Sequence, residues 1–235
     1  MADKIPLLLT RPEGANSAFL ADFPKRLADR LAFVEAPLIA IKATGAKVAM
    51  AQDAIALFTS VNGVRFAPPS SGREAYCVGV RTTQAATAAG WKATFVGQNA
   101  DEMVKTLIEA QPTQPLCHLS GVHVRGRIFE RLQDAGITAD RVALYDQVLV
   151  PLSAAAETVI KSQKPVIVPL FSPRAATHFA AVAPANPRLQ VVTMSDAVTS
   201  ALQNNASFEI VTAHSPTADA VIECVENLLS AKGLG

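Results

Sequence analysis

The stretch Ile55-Ala56-Leu57-Phe58-Thr59-Ser60-Val61-Asn62-Gly63-Val64-Arg65 holds the pattern on which the fold turns. Four apolar residues make a short buried strand, two hydroxyl residues end it, and small residues then open a helix. Strand, serine and helix in that order form the entry to a parallel βα unit. The same order occurs in Leu170-Phe171-Ser172-Pro173-Arg174-Ala175-Ala176, which points to duplication of one α/β unit. The compact loop Pro68-Pro69-Ser70-Ser71-Gly72 implies that the helix before it is short.

Working outward, short β-rich runs recur at 5–9, 33–41, 55–58, 75–78, 92–96, 116–119, 141–150, 166–171, 190–194 and 209–212. Amphipathic segments fill most gaps between them, the pattern of an α/β protein with parallel sheets. Val221, Val225, Leu228 and Leu229 fall on one helical face, and Met103, Val104, Leu107 and Ile108 form a similar stripe. Gly90 and Gly136 stop their helices as C-terminal caps. Phe19, Phe23, Leu27 and Leu31 have helical spacing with Pro24 among them, so that helix is either kinked there or begins near Asp22.

The runs 33–41 and 141–150 are longer than the others, and prolines mark them at Pro37 and Pro151. The residues between them, about 100, suffice for a separate compact unit. This spacing predicts two α/β lobes with parallel sheets, joined by a pair of extended linker strands. One lobe is discontinuous, residues 1–36 and 149–235; the other is an insertion, residues 42–143; the linkers are 37–41 and 144–148.

Composition narrows the function. Half of the 235 residues are hydrophobic and 17% are charged, and 21 basic against 20 acidic residues leave a net charge of +1. No basic block offers the electrostatic footprint of a nucleic-acid binder. Cys77, Cys117 and Cys224 lie far apart in apolar runs, without zinc spacing, and read as buried, reduced thiols. Residues 1–10 run directly into a strand and no apolar stretch is long enough to span a membrane, so a soluble cytoplasmic protein is expected.

Ligands of open parallel sheets bind beyond the carboxyl ends of the strands. The loops there supply a hydroxyl or a glycine: Thr10-Arg11-Pro12, Thr59-Ser60, Gly79-Val80-Arg81-Thr82-Thr83, Ser120-Gly121, Ser172-Pro173-Arg174, Ser195-Asp196 and His214-Ser215-Pro216-Thr217. Arg11, Arg65, Arg81, Arg125 and Arg174 follow within a few residues. Each serine or threonine alone is an ordinary N-cap, contributing about 1 kcal/mol. Repeated with arginine at one end of the strands, they read as a distributed anion-binding surface. Asp196 is an odd companion for an anion. No dinucleotide fingerprint, P-loop or GxSxG elbow occurs. The four histidines have no carboxylate nearby in sequence and no metal spacing, though His214 stands at a strand end.

Thr10-Arg11-Pro12, Phe58-Thr59-Ser60, Val78-Gly79-Val80-Arg81-Thr82, Gly121 with Arg125 before a helix ending at Gly136, Tyr145 in the returning strand, and Phe171-Ser172-Pro173 occur in that order. In this ordered set the chain resembles the uroporphyrinogen-III synthase family over nearly its whole length. The resemblance implies two α/β lobes with the active site in the cleft between them, a monomer, and no metal or organic cofactor. It implies a lyase of the hydro-lyase class in tetrapyrrole and heme biosynthesis. The substrate would be hydroxymethylbilane, a linear tetrapyrrole with eight carboxylates, cyclised to uroporphyrinogen III with inversion of ring D through a spiro intermediate. Neither a nucleic acid nor a membrane enters. That chemistry is chiefly orientation, which accounts for the lack of a strong catalytic motif.

Tyr145 matches a tyrosine that faces the cleft in the family, and a phenol carries its proton at neutral pH, so it is the expected proton donor to the departing hydroxyl. The expected substrate-binding residues are Arg11, Ser60, Asn62, Arg65, Arg81, Thr82, Gly121, Arg125, Ser172, Arg174 and Ser195, of which Ser60, Thr82 and Ser172 match family positions near the substrate. Two other readings stay open: a bilobed protein that closes on a small anion without catalysis, and a regulatory relative of a synthase.

Overall fold

Strands that are covered on both faces tend to read as apolar runs, and among the described residues four are buried at every position: Ile55–Phe58, Leu116–Gly121, Val166–Leu170 and Leu189–Thr193. A computed structural model of the chain describes residues 4–124, 126–202 and 208–231. The described elements are β1 (Ile5–Leu9), α1 (Ala15–Ala21), α2 (Lys25–Ala28), β2 (Leu31–Glu35), β3 (Ile39–Ala43), β4 (Ile55–Phe58), α3 (Val61–Phe66), β5 (Glu74–Val78), α4 (Val80–Ala88), β6 (Lys92–Gly97), α5 (Ala100–Ala110), β7 (Leu116–Gly121), α6 (Ile128–Asp134) and β8 (Ala139–Leu149). There follow α7 (Ala154–Lys161), β9 (Val166–Leu170), α8 (Pro173–Val182), β10 (Leu189–Thr193), α9 (Asp196–Ser200), β11 (Glu209–Thr212) and α10 (Ala218–Ala231).

Contacts divide the chain into two units, Met1–Ala40 with Val148–Gly235, and Ile41–Gln147. The sheet of the first has the order β11-β10-β9-β1-β2, and its strand pairs are all parallel. Its core packs α1, α2 and α10 on the sheet, with Val221 and Val225 fully buried. Phe19 stands edge-on to Phe23 and Phe171, at 5.1 and 5.0 Å between ring centres. The six-stranded sheet has the order β3-β8-β7-β4-β5-β6. From β8 to β6 its pairs are parallel. β3 runs antiparallel to β8, because the amide of Thr44 bonds the carbonyl of Leu144 and that of Val150 the carbonyl of Leu38. One face of this sheet carries Phe58, Val64, Trp91, Leu144 and Tyr145, and the other Met103, Val104, Leu107, Ile128 and Leu132.

The two sheets share a strand order once the chain of the first is read from β9. In each, three strands step outward (β9-β10-β11 and β4-β5-β6) and two more lie on the other side (β1-β2 and β7-β8), with β3 added at the edge beyond β8 in the six-stranded sheet. The chain therefore reverses direction between β9 and β1 in one unit and between β4 and β7 in the other. In open parallel sheets such switch points are where ligands bind.

The expected long strand 33–41 is two strands. β2 follows β1 to Glu35, the amides of Ala36 and Leu38 still bond Leu9 and Thr10, and Pro37, which has no N–H to give, interrupts the ladder. Around Pro24 the chain takes no kinked helix but a new start, as the second of the two readings has it, a little later than Asp22: α1 ends at Ala21, Pro24 is the N-cap of α2, and Leu31 opens β2. All four apolar positions of that pattern are nonetheless buried in one cluster. Ile108 departs from its stripe and is exposed, whereas Met103, Val104 and Leu107 are buried. Gly90 and Gly136 take left-handed backbone just past α4 and α6, as expected of caps. The three cysteines are free and buried, and burial pushes the Cys77 and Cys117 thiols up to about 11. Among the described residues no helix is long and apolar enough to cross a membrane.

Candidate active site

β4 delivers two hydroxyls to the switch point of the six-stranded sheet. Its four residues are fully committed to the core, so the chain emerges at Thr59 and Ser60. Ser60 is extended (φ −158°, ψ 154°) and caps α3, its Oγ accepting the amide hydrogen of Gly63 at 3.1 Å. Gly63 is required by a close approach. A Cβ there would lie 2.6 Å from the carbonyl oxygen of Leu119 and 3.3 Å from the Phe58 ring. The bare glycine lets the first turn of α3 rest directly on β7.

Tyr145 reaches the same place from β8. Pairing between β7 and β8 proceeds residue by residue up to Ser120 opposite Ala143, and then passes to Gly121 opposite Tyr145. Leu144 is the extra residue. Side chains alternate along a strand, and Val142 and Leu144 already lie on the Phe58–Trp91 face. Regular alternation would send Tyr145 to the opposite face. The one-residue shift turns it back onto the face of Leu144, where its ring stacks on Phe66 at 5.7 Å and 24° and covers the bare Cα of Gly121. A Cβ on Gly121 would stand 2.7 Å from that ring. Tyr145 is 6% exposed, so the ring is core, and its phenol oxygen lies 2.9 Å from Ser60 Oγ. The part-buried serine is the member of the pair that reaches the surface.

Beside them, Thr59 Oγ1 lies 3.2 Å from Nε2 of His118. His118 is 2% exposed and its Nδ1 has no hydrogen-bond partner. Burial first, and the positive Arg141 second, lower its pKa to about 4, with Glu130 opposing weakly. The imidazole is therefore neutral near pH 7 and serves as a fixed dipole behind Thr59. In the unfolded chain it would protonate near 6.5, so between about 4 and 6.5 the unfolded state binds the extra proton. Its contribution is complete above pH 6.5 and is lost as the pH falls towards 4. Urea titrations should show stability falling by roughly 3 kcal/mol at most over that interval from this group. His118→Phe should flatten the fall; an equally steep fall in the variant would remove His118 as its cause.

The five-stranded sheet presents a related set at its own switch point. Thr10, after β1, is 3% exposed and bonds the carbonyl of Pro169 in β9. Ser172 caps α8 as Ser60 caps α3, extended (φ −150°, ψ 150°), with Oγ accepting the Ala175 amide at 3.2 Å. The Arg11 guanidinium sits 4.8 Å above the Phe171 ring. Farther along, Thr199 Oγ1 bonds Thr193 at 2.5 Å and Thr212 at 2.8 Å, a hydroxyl cluster over the ends of β10 and β11.

The other expected residues are distributed as follows. Asn62 and Arg174 stand in the first turns of α3 and α8. Arg81 is exposed in the first turn of α4, whereas Thr82 is 6% exposed and shares that helix's buried face with Ala86. Ser195 precedes α9 without a capping bond from its side chain, and Asp196 opens that helix. Two placements differ from expectation. Arg65 lies in the last turn of α3, over Phe66 at 5.5 Å, and lines a groove of about 680 Å³ with Pro68, Ala88 and Trp91. Arg65 itself stands five residues beyond the Ser60 cap, at the other end of α3. Gly121 ends a strand, and the next helix starts only at Ile128. Arg125 lies outside the described residues. His214 and His123, read from sequence as without carboxylate neighbours, stand 3.6 Å from Glu223 and Asp146.

Sequence reasoning missed His118 and Arg141, and placed Ser120 in a loop rather than in the buried strand β7. The signal was alternation: Leu116, His118 and Ser120 share one face of β7, and two polar residues on a buried face need partners.

Chemically, the β4–β7–β8 switch point combines a hydroxyl pair able to pass a proton, a neutral imidazole behind a second hydroxyl, and apolar aromatic walls. It offers donors to an anionic or hydroxyl-bearing ligand. The sequence model of the family described as uroporphyrinogen-III synthase HemD matches residues 31–223. Comparison with curated protein sequences finds no match. Among solved structures, the chain is similar to uroporphyrinogen-III synthetase from Helicobacter pylori 26695, with a TM-score of 0.60 at 13% identity, covering 96% of this chain and 100% of that one. A mutant uroporphyrinogen III synthase from the extremely thermophilic bacterium Thermus thermophilus aligns with a TM-score of 0.47 at 15% identity, over 97% and 100% of the two chains. The first of these likenesses concerns the fold: two units of α/β build with mostly parallel sheets.

Proposed function

This chain belongs to the uroporphyrinogen-III synthase family, and we propose that it cyclises hydroxymethylbilane to uroporphyrinogen III with inversion of ring D through a spiro intermediate. The reaction loses water, which makes the enzyme a hydro-lyase. The observation that carries the reading on to residues is the 2.9 Å contact between Ser60 Oγ and the Tyr145 phenol, at the strand ends of a sheet that belongs to this family's fold.

The proton path follows from the donors and acceptors. Ser60 Oγ accepts from the Gly63 amide and, with Tyr145 as donor, from the phenol. The serine hydrogen is then free to point at the substrate. As the bilane's hydroxymethyl C–O bond breaks, Ser60 gives that hydrogen to the leaving oxygen and takes the proton of Tyr145. Water departs and an azafulvene cation remains. Ring D closes on it at its substituted carbon, the spiro intermediate reopens and recloses inverted, and the proton released when the last pyrrole regains aromaticity returns to Tyr145. General acid assistance of this kind is worth about 10²–10⁴ in rate, and the larger part of the task is holding the chain in the inverting geometry.

Groups suited to the substrate's carboxylates stand at the strand ends of each unit taken by itself: Ser60, Asn62 and Arg81 in one, and Arg11, Ser172, Arg174 and Ser195 in the other. Gly121 and Thr82 serve by packing. The neutral His118 keeps the Thr59 hydroxyl placed without adding charge. The enzyme acts as a cytoplasmic monomer without metal or organic cofactor, and its three buried thiols suit a reducing compartment. The test is to incubate the protein with freshly made hydroxymethylbilane and separate the uroporphyrin isomers after oxidation. Isomer III in excess of isomer I is the expected result; isomer I alone would leave a binding protein at most.

A further inference from the structure

We infer that Arg141 is a positioning residue for the Ser60–Tyr145 pair: it pins the register shift that turns Tyr145 towards Ser60. The inference rests on the reading of that pair given above.

One guanidinium spans the shift. Arg141 Nε donates to Ser120 Oγ at 2.9 Å, and its Nη2 donates to the carbonyl oxygens of Gly121 and Val122, both at 2.7 Å. Ser120 Oγ in turn donates to the Gly121 carbonyl at 3.1 Å. The acceptors are the three consecutive residues at which β7 and β8 change register, and the Val122 amide completes the junction by bonding the Tyr145 carbonyl at 2.8 Å. Arg141 lies on the same strand as Tyr145, four residues earlier, and its side chain works on the opposite face, beside Ser120 and His118.

The physical consequence is a choice between two registers. In the regular one Gly121 would face Leu144, and a shift of one residue sends each later side chain to the other face. Tyr145 would then leave Phe66 and carry its hydroxyl away from Ser60. The shifted register sets the carbonyl of Gly121, at the buried end of β7, beside that of Val122 just beyond the strand, and a buried carbonyl left without a partner is costly. The planar fork of Arg141 satisfies both at once, which the single ammonium of lysine does less well. Neutral side chains cannot add the charge that strengthens such bonds.

The test uses Arg141→Lys in the full chain, with ring-¹³C-labelled tyrosine. The protein has two tyrosines, Tyr76 and Tyr145, so two sets of ring signals report separately. The lysine variant is expected to move the Tyr145 signals and leave those of Tyr76. It should lower kcat for isomer III about tenfold to a hundredfold, the scale of a small misplacement, with KM changed less than twofold. Because the effect passes through Tyr145, combining it with Tyr145→Phe should cost little beyond Tyr145→Phe alone. Unmoved Tyr145 signals, or losses that multiply in the double variant, would overturn the inference. Wild-type rates in Tyr145→Phe would instead overturn the reading of the hydroxyl pair, so the two failures are told apart. If Arg141→Lys does not fold, Ser120→Ala, which removes the Nε acceptor and the serine's own bond to the Gly121 carbonyl but leaves both Nη2 bonds, is expected to produce a smaller shift of the same Tyr145 signals; no shift there would also overturn it.

Discussion

Tyr145→Phe is expected to slow formation of isomer III by about a hundredfold or more, the worth of a well-placed general acid, while the protein stays folded. The ring that stacks on Phe66 and lies against Gly121 is retained, so the packing that makes Tyr145 a core residue is untouched. What is lost is one hydroxyl whose partner, Ser60, keeps its bond from the Gly63 amide. The stability cost is therefore that of a single neutral hydrogen bond, about 1 kcal/mol. Rate and stability should separate cleanly: a small shift of the urea midpoint against a large fall in the isomer III rate, with a growing share of isomer I from unguided closure. An unchanged rate would remove the phenol from the chemistry and leave it as a structural partner of the α3 cap. Ser60→Ala complements this, since it removes the surface member of the pair. It should lower the rate as severely and cost a further helix cap, about 1 kcal/mol.

Gly63→Ala is expected to be the more damaging substitution for the fold. In an exposed helix, alanine in place of glycine would stabilise by nearly 1 kcal/mol. Here the added methyl would meet the Leu119 carbonyl at 2.6 Å, and that neighbour is main chain in the centre of a sheet. The clash is relieved only if the first turn of α3 lifts from β7, which opens the core around Phe58 and Val64 and draws Ser60 away from Tyr145. A loss of about 2–4 kcal/mol is expected, on the scale of overpacked cores, with little isomer III formed. A urea midpoint equal to that of the wild type would show that α3 does not rest on β7 as described.

Much of this was legible in the sequence because the strands are covered on both faces. Runs such as Ile55–Phe58 and Val166–Leu170 announce themselves by apolarity alone, and the serines that follow them cap helices with nearly identical backbone angles. The places where expectation and structure part have local causes. Pro37 divides one long apolar run into two strands of different sheets, and the run shows the apolarity but not the change of partner. Arg65 has the right composition for an anion site, yet a helix of six residues carries it to the far end, over Phe66. Register is the harder matter. That Tyr145 shares a face with Leu144 depends on one extra residue between two strands, and no period within β8 reveals it. Arg141 and His118 were missed for the same reason: their partners, Ser120, Gly121 and Thr59, come from other segments, and only the pairing of β8 with β7 and of β7 with β4 brings them together.

The most direct measurement is the fate of a bilane labelled with ¹³C in ring D. After incubation with the protein and oxidation, the product's ¹³C spectrum should place the label in a ring whose acetate and propionate side chains are reversed relative to the other three, at a rate well above that of the spontaneous reaction. Label recovered only in an uninverted ring would mean that the hydroxyls at the strand ends do not direct the closure, and the account would be wrong.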